Sequence, residues 1–221
     1  MSLLGTLQAM EATRNPSGGI ADLAMDFAFE MRGDILPFDY PAQLDLAMHA
    51  LLPAVDKDPF FAIHAVKAPL TETGYVLSRR SRLQLRALES KSAEIEQLVG
   101  KTLHLGDVAI VLGSMTRRPV TPFPTLRSGM VVNLLGDEQA FMDDIGMQLE
   151  VLGVKAGAMC GKPHTVMGHQ GRIEGYALVL HDLSPAHSVR VQTVGLGGSR
   201  RLGCGLFVHH KVIDGPEAWP E

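Results

Sequence analysis

Apolar and polar positions alternate from Leu23 to Met31, which predicts a strand ending near Arg32-Gly33-Asp34. The period then changes. Leu44, Ala47, Met48, Leu51 and Leu52 recur at helical spacing, with Pro41 suited to the first turn, Asp39 ahead of it as a cap and Pro53 as a stop. Phe60 to Val66 is apolar on both faces and reads as a buried strand. Tyr75 to Leu88 alternates again, setting Arg80, Arg82, Gln84 and Arg86 against Ser81, Leu83, Leu85 and Ala87, so one face carries arginines toward solvent or a ligand. Ser92 to Val99 predicts a short helix and Leu103 to Leu112 a fourth strand. The order β-α-β-β-α-β is that of the ferredoxin-like unit.

The plan recurs after a proline-rich linker, Arg117-Arg118-Pro119-Val120-Thr121-Pro122-Phe123-Pro124. Thr125 to Leu135 reads as a strand and Asp137 to Leu152 as a helix with acids in its first turn. Val154 to His169 reads as a strand broken by Gly157, Gly161 and Pro163, and Ile173 to His181 as a strand. Ser184-Pro185 opens a short helix, and Leu206-Phe207-Val208 closes the set. The expected organisation is α+β: a tail over 1–20, a ferredoxin-like domain over 21–115, a linker over 116–124 and a second ferredoxin-like domain over 125–221.

Composition adds exclusions. At 221 residues, 46% hydrophobic and 20% charged, the chain is an ordinary globular protein. No apolar run reaches the length of a membrane span and no signal-peptide pattern opens the chain, so a cytoplasmic protein is expected. Cys160 and Cys204 have no metal-site spacing and form no disulfide framework. Residues 1–60 hold nine acids and three bases, so the net charge of −4 divides into −6 there and +2 beyond. Arginines cluster at Arg79, Arg80, Arg82 and Arg86, at Arg117 and Arg118, and at Arg200 and Arg201. A local basic surface on an acidic protein suits a specific RNA site better than nonspecific duplex binding.

One stretch stands apart: Val194-Gly195-Leu196-Gly197-Gly198-Ser199-Arg200-Arg201-Leu202-Gly203-Cys204-Gly205-Leu206-Phe207, with five glycines in eleven residues. Free N–H groups in such a loop, beside arginines, make a site for phosphate oxygens. A strand follows the loop rather than a helix, so the dinucleotide fingerprint does not fit. The run GLGGSRRLGCGLF, with GRIEGYALVLHDLSPAHSVRVQTVGLGG reading into it, resembles the C-terminal glycine-rich loop of the CRISPR-associated RAMP superfamily. Within it, the chain is similar to the endoribonucleases that cut CRISPR precursor transcripts into guide RNAs. The resemblance implies two tandem ferredoxin-like domains. It also implies RNA cleavage leaving 2′,3′-cyclic phosphate and 5′-hydroxyl ends, with CRISPR repeat RNA as partner and subunits of an effector complex as a second class of partner. A RAMP subunit that holds guide RNA without cutting it is the alternative. A ferredoxin-like metabolite-binding module is a third reading, which the arginine loop disfavours.

Metal-free RNA cleavage needs a base for the 2′-hydroxyl proton and an acid for the leaving 5′-oxygen, tasks that suit histidine. No carboxylate cluster with metal-binding spacing is visible, and neither metal nor cofactor is expected. The resemblance places a catalytic histidine on or just after the first helix, which selects His49 first and then His64 on the following strand. Tyr40, just ahead of the helix, is the nearest phenol. Lys162, His164 and His169 lie in the segment that grips the repeat hairpin in the resembled proteins, so Lys162 and His164 join the arginines, Gly195, Gly197 and Gly198 as expected RNA contacts. His209 and His210 read as tail residues.

Overall fold

The computed structural model describes residues 22–55, 58–134 and 136–210; the expected tail over 1–20 lies outside them. Alternation builds the first sheet. β1 (Ala24–Arg32) buries Met25, Phe27, Phe29 and Met31 on one face and carries Asp26, Ala28 and Glu30 on the other. After β2 (Ile35–Leu36), α1 (Tyr40–Leu51) covers the buried face with Leu44 and Met48, its proline in the first turn as expected. Asp39 precedes this helix but makes no side-chain cap; its carboxylate instead accepts from Gln43 Nε2 at 2.8 Å. β3 (Ala62–Ile63), β4 (Leu70–Thr71), β5 (Gly74–Val76), β6 (Arg82–Leu88), α2 (Ser92–Glu96), β7 (Thr102–Leu105) and β8 (Val108–Pro119) complete this half. Its main sheet runs β3-β6-β1-β8-β7, every neighbour antiparallel, and the first four strands stand in ferredoxin-like order. A separate small sheet, β2-β5-β4, is inserted beside it.

Three expectations change here. The strand expected over Tyr75–Leu88 is two strands in different sheets, separated by a turn in which Ser81 Oγ accepts from the Ser78 N–H at 3.1 Å. The strand expected over Leu103–Leu112 is a hairpin, β7 and β8, turning at Gly106-Asp107, a glycine-acid pair typical of such turns. β8 also runs on to Pro119, pairing Asp26 with Arg118 and Met25 with Pro119, so the front of the expected linker is strand. β7 pairs only as far as Val111, which leaves Arg117, Arg118 and Pro119 on an open edge where a missing N–H costs nothing.

The second half comprises β9 (Leu126–Val132), α3 (Glu138–Val151), β10 (Gly157–Gly168), β11 (Gly171–His181), α4 (Pro185–Val194) and β12 (Val208–His209), in the sheet order β10-β11-β9-β12. This is the ferredoxin-like order again, so the fold is α+β with two tandem ferredoxin-like units. Asp137 and Ser184 cap their helices, accepting from the N–H groups of Ala140 and His187. β10 is continuous rather than broken. Its glycines and Pro163 are absorbed by one register shift between Cys160 and Pro163, and β10 pairs with β11 to the His169-Gln170 turn. His209 is not a tail residue; it lies in β12 and stacks on Phe123 with ring centroids 3.9 Å apart.

Each half has its own apolar core, and Phe60 from the first half inserts into the second. The polar face of the first sheet is likewise covered where it meets the second half. Arg86 Nη1 donates to Gln192 O at 3.1 Å and Phe207 O at 2.8 Å. Among the described residues no helix is long and apolar enough to cross a membrane.

Candidate active site

α1, β3 and the glycine loop meet at one place. The loop's single turn of 3₁₀ helix, Arg200–Leu202, packs on both other elements. Arg201 donates from Nε to Asp45 Oδ1 and lies over the Phe61 ring, its guanidinium 5.6 Å from the centroid. The other Asp45 oxygen is 2.8 Å from His169 Nε2, at the tip of the β10–β11 hairpin. One carboxylate on α1 therefore holds both the loop and the hairpin of the second half. His49 is exposed near the end of the same helix. Four residues separate it from Asp45, which puts the two on one face of the helix, about 6 Å apart at Cβ.

The other two expected catalytic residues are buried. His64 lies with Nε2 3.4 Å from Asp26 Oδ1, its side chain 10% exposed. Burial is the largest influence on its pKa and, with the Arg86 and Arg200 guanidiniums, holds it below the ordinary histidine value against the pull of Asp26. His64 is thus a buried histidine packed against Asp26, where the sequence reading expected a catalytic one. Tyr40 is only 5% exposed and its hydroxyl accepts from the Val66 N–H at 3.1 Å. Burial pushes this phenol up to about 12, and its hydroxyl ties α1 to the chain after β3.

Two expected RNA contacts are corrected for the same reason. Arg86 is 2% exposed and grips Asp26 with two bonds, Nε–Oδ1 at 2.7 Å and Nη2–Oδ2 at 2.9 Å. Arg200 is 5% exposed, donates to Phe60 O at 3.2 Å, and has its pKa lowered to about 9 by burial and by Arg86. Arg86 keeps its place in the strand alternation and Arg200 its place in the loop, but each points into the contact between the two halves.

The glycine loop is packed from within. The Gly195 N–H closes the end of α4 on Val191 O, and the Gly197 N–H donates to Gln148 Oε1 at 2.8 Å, so neither is open to a phosphate. Gly198 and Arg200 are buried and Ser199 is half-buried, so this turn lies largely inside the protein. Ser199 is left-handed (φ 51°, ψ 34°) and leads into the right-handed 3₁₀ turn, a step that gathers successive N–H groups into an anion-binding nest. Glycine is obligatory at Gly205, where φ is +65° and a Cβ would sit 1.9 Å from Leu196 O. Gly205→Ala is expected to cost more than about 1 kcal/mol of stability in urea unfolding. An unchanged midpoint would show that the loop tolerates a side chain there.

The remaining candidates are exposed and scattered. Arg79, Arg80 and Arg82 follow β5; Arg82 folds back to donate to Arg79 O and Ser81 O. Arg117, on the open edge of β8, pairs with Glu96 at 3.6 Å, and Arg118 beside it is exposed. Lys162 and His164 stand exposed along β10. What the sequence does not single out is Asp45 and its junction with His169. Its partners are 124 and 156 residues away, and only the four-residue spacing from His49 hints at it.

Two ferredoxin-like units with a glycine-rich loop between the last helix and strand form the architecture that the sequence resemblance implied. Comparison with known proteins narrows the class. The family described as Cas6 Crispr matches residues 25–212. A protein of Myxococcus xanthus (strain DK1622), CRISPR-associated endonuclease Cas6, is 30% identical over 185 residues, covering 83% of this chain and 80% of that protein. Among solved structures, a CRISPR associated protein Cas6 aligns with a TM-score of 0.65 at 11% identity, over 85% of this chain and 100% of the other. A RAMP protein binding different RNA substrates aligns with a TM-score of 0.59 at 16% identity, over 84% and 98%. The chain belongs to the Cas6 family.

Proposed function

We propose that the protein binds CRISPR repeat RNA and cuts precursor transcripts into guide RNAs by metal-independent acid–base chemistry. The observation that supports this reading is the junction at Asp45, which ties α1, the helix that carries exposed His49, to Arg201 of the glycine loop and to His169 of the β10–β11 hairpin. The nest and loop dipoles hold the scissile phosphate's neighbourhood; His49 moves a proton at the reacting sugar. The 2′-oxygen attacks phosphorus in line and the P–O5′ bond breaks. The products are a 2′,3′-cyclic phosphate and a 5′-hydroxyl. Arg79, Arg80, Arg82, Arg117, Arg118, Lys162 and His164, all exposed, supply phosphate contacts along the rest of the RNA.

Cleavage of a repeat RNA from the array served by this protein should persist in excess EDTA. The downstream fragment should accept phosphate from polynucleotide kinase without prior dephosphorylation. Activity abolished by the chelator and restored by magnesium would overturn the mechanism. Tight binding without any cut would replace it with the guide-holding subunit.

A further inference from the structure

Asp45 holds more than the glycine loop. Its Oδ2 lies 2.8 Å from Nε2 of His169, a side chain 39% exposed at the hairpin tip, while Asp45 itself is 16% exposed. A carboxylate only accepts, so Nε2 carries the hydrogen and Nδ1 is the nitrogen left to trade protons with a ligand. An oriented histidine with one nitrogen fixed by a carboxylate and the other presented outward is the arrangement that hydrolytic triads use. Here its carboxylate partner, Asp45, stands four residues from His49 on α1 and also receives Arg201 of the glycine loop. Asp45, His49 and Arg201 are the titratable groups that α1 and the loop bring to this place.

We propose that His169 is a second catalytic residue of this enzyme, performing one of the two proton transfers while His49 performs the other. The step balances without any co-reactant. One ring nitrogen takes the 2′-hydroxyl proton as the 2′-oxygen bonds to phosphorus. The P–O5′ bond breaks, and the other histidine, protonated, gives its proton to the 5′-oxygen. Asp45 is the positioning residue. It fixes the His169 ring and, through Arg201, keeps the nest beside it. The proposal deepens the ribonuclease reading above and rests on it.

A bare structural latch between hairpin and helix would share this geometry, so the test must separate latch from catalyst. Glutamine can place an amide N–H where Nε2–H stood, keeping the bond to Asp45 but losing the exchangeable nitrogen. Single-turnover cleavage of repeat RNA is measured for wild type, His169→Gln and His169→Ala across pH, with binding and thermal midpoints alongside. Both variants should cut about a hundredfold to ten-thousandfold more slowly, with affinity within a few-fold. Each should also lose one limb of the pH–rate profile, and added imidazole should partly restore His169→Ala. His169→Gln cutting at the wild-type rate with both limbs intact would overturn the proposal and leave a latch. Wild-type protein that leaves the repeat intact would instead overturn the ribonuclease mechanism, and this inference with it.

Discussion

His49→Ala is expected to slow single-turnover cleavage of repeat RNA by about a hundredfold to ten-thousandfold, the range of one lost proton transfer. Affinity for the RNA should stay within a few-fold, because His49 belongs to α1 and not to the loop proposed to hold phosphate. Enzyme in excess isolates the chemical step from release of a tightly held product. The contrast with His64 makes this prediction sharp. His64 is buried against Asp26, below its ordinary pKa, so its replacement should lower the unfolding midpoint and touch cleavage only through the loss of folded protein. A His49→Ala enzyme at the wild-type rate, beside a folded but inactive His64 variant, would move the chemistry into the interior and sink this assignment of roles.

How far the site was legible follows from where its contacts lie in sequence. Periodicity found the two ferredoxin-like units, because each depends on alternation and helical spacing within some forty residues, as in β1, α1 and α3. The glycine loop was marked by its composition, and His49 was selected only by the family resemblance. What periodicity cannot supply is what covers a face. The alternation that aligns Arg82 and Arg86 is real, yet Arg86 points into the second half while Arg82 is exposed. Asp26, Asp45 and His169 gain their meaning from partners 60 to 156 residues distant, and nothing local marks them. The turns were different. Gly106-Asp107 was a readable hairpin signal inside a run otherwise continuous in its alternation, and there the competing strand pattern masked it.

The largest effect on stability is expected at Arg86, the cation on which both halves close. Its guanidinium makes two bonds to Asp26 and two to carbonyls of Gln192 and Phe207 in the other half. Arg86→Met keeps the volume but leaves a half-buried carboxylate without its partner and orphans two carbonyls, a loss of about 3–5 kcal/mol at pH 7. Burial by itself would raise the Asp26 pKa, but His64 and Arg86 together hold it well below the usual carboxylate range. A folded pKa below the unfolded one gives stability that is present above about pH 4 and is lost as pH falls further. Without Arg86 that contribution goes, and protonating Asp26 relieves the orphan charge instead. Urea unfolding of wild type and Arg86→Met at pH 7 and at pH 3 should therefore show a large gap at neutral pH that narrows in acid. A gap of the same size at both pH values would mean that the loss comes from packing and the carbonyl bonds, and that the Asp26–Arg86 ion pair contributes nothing to it.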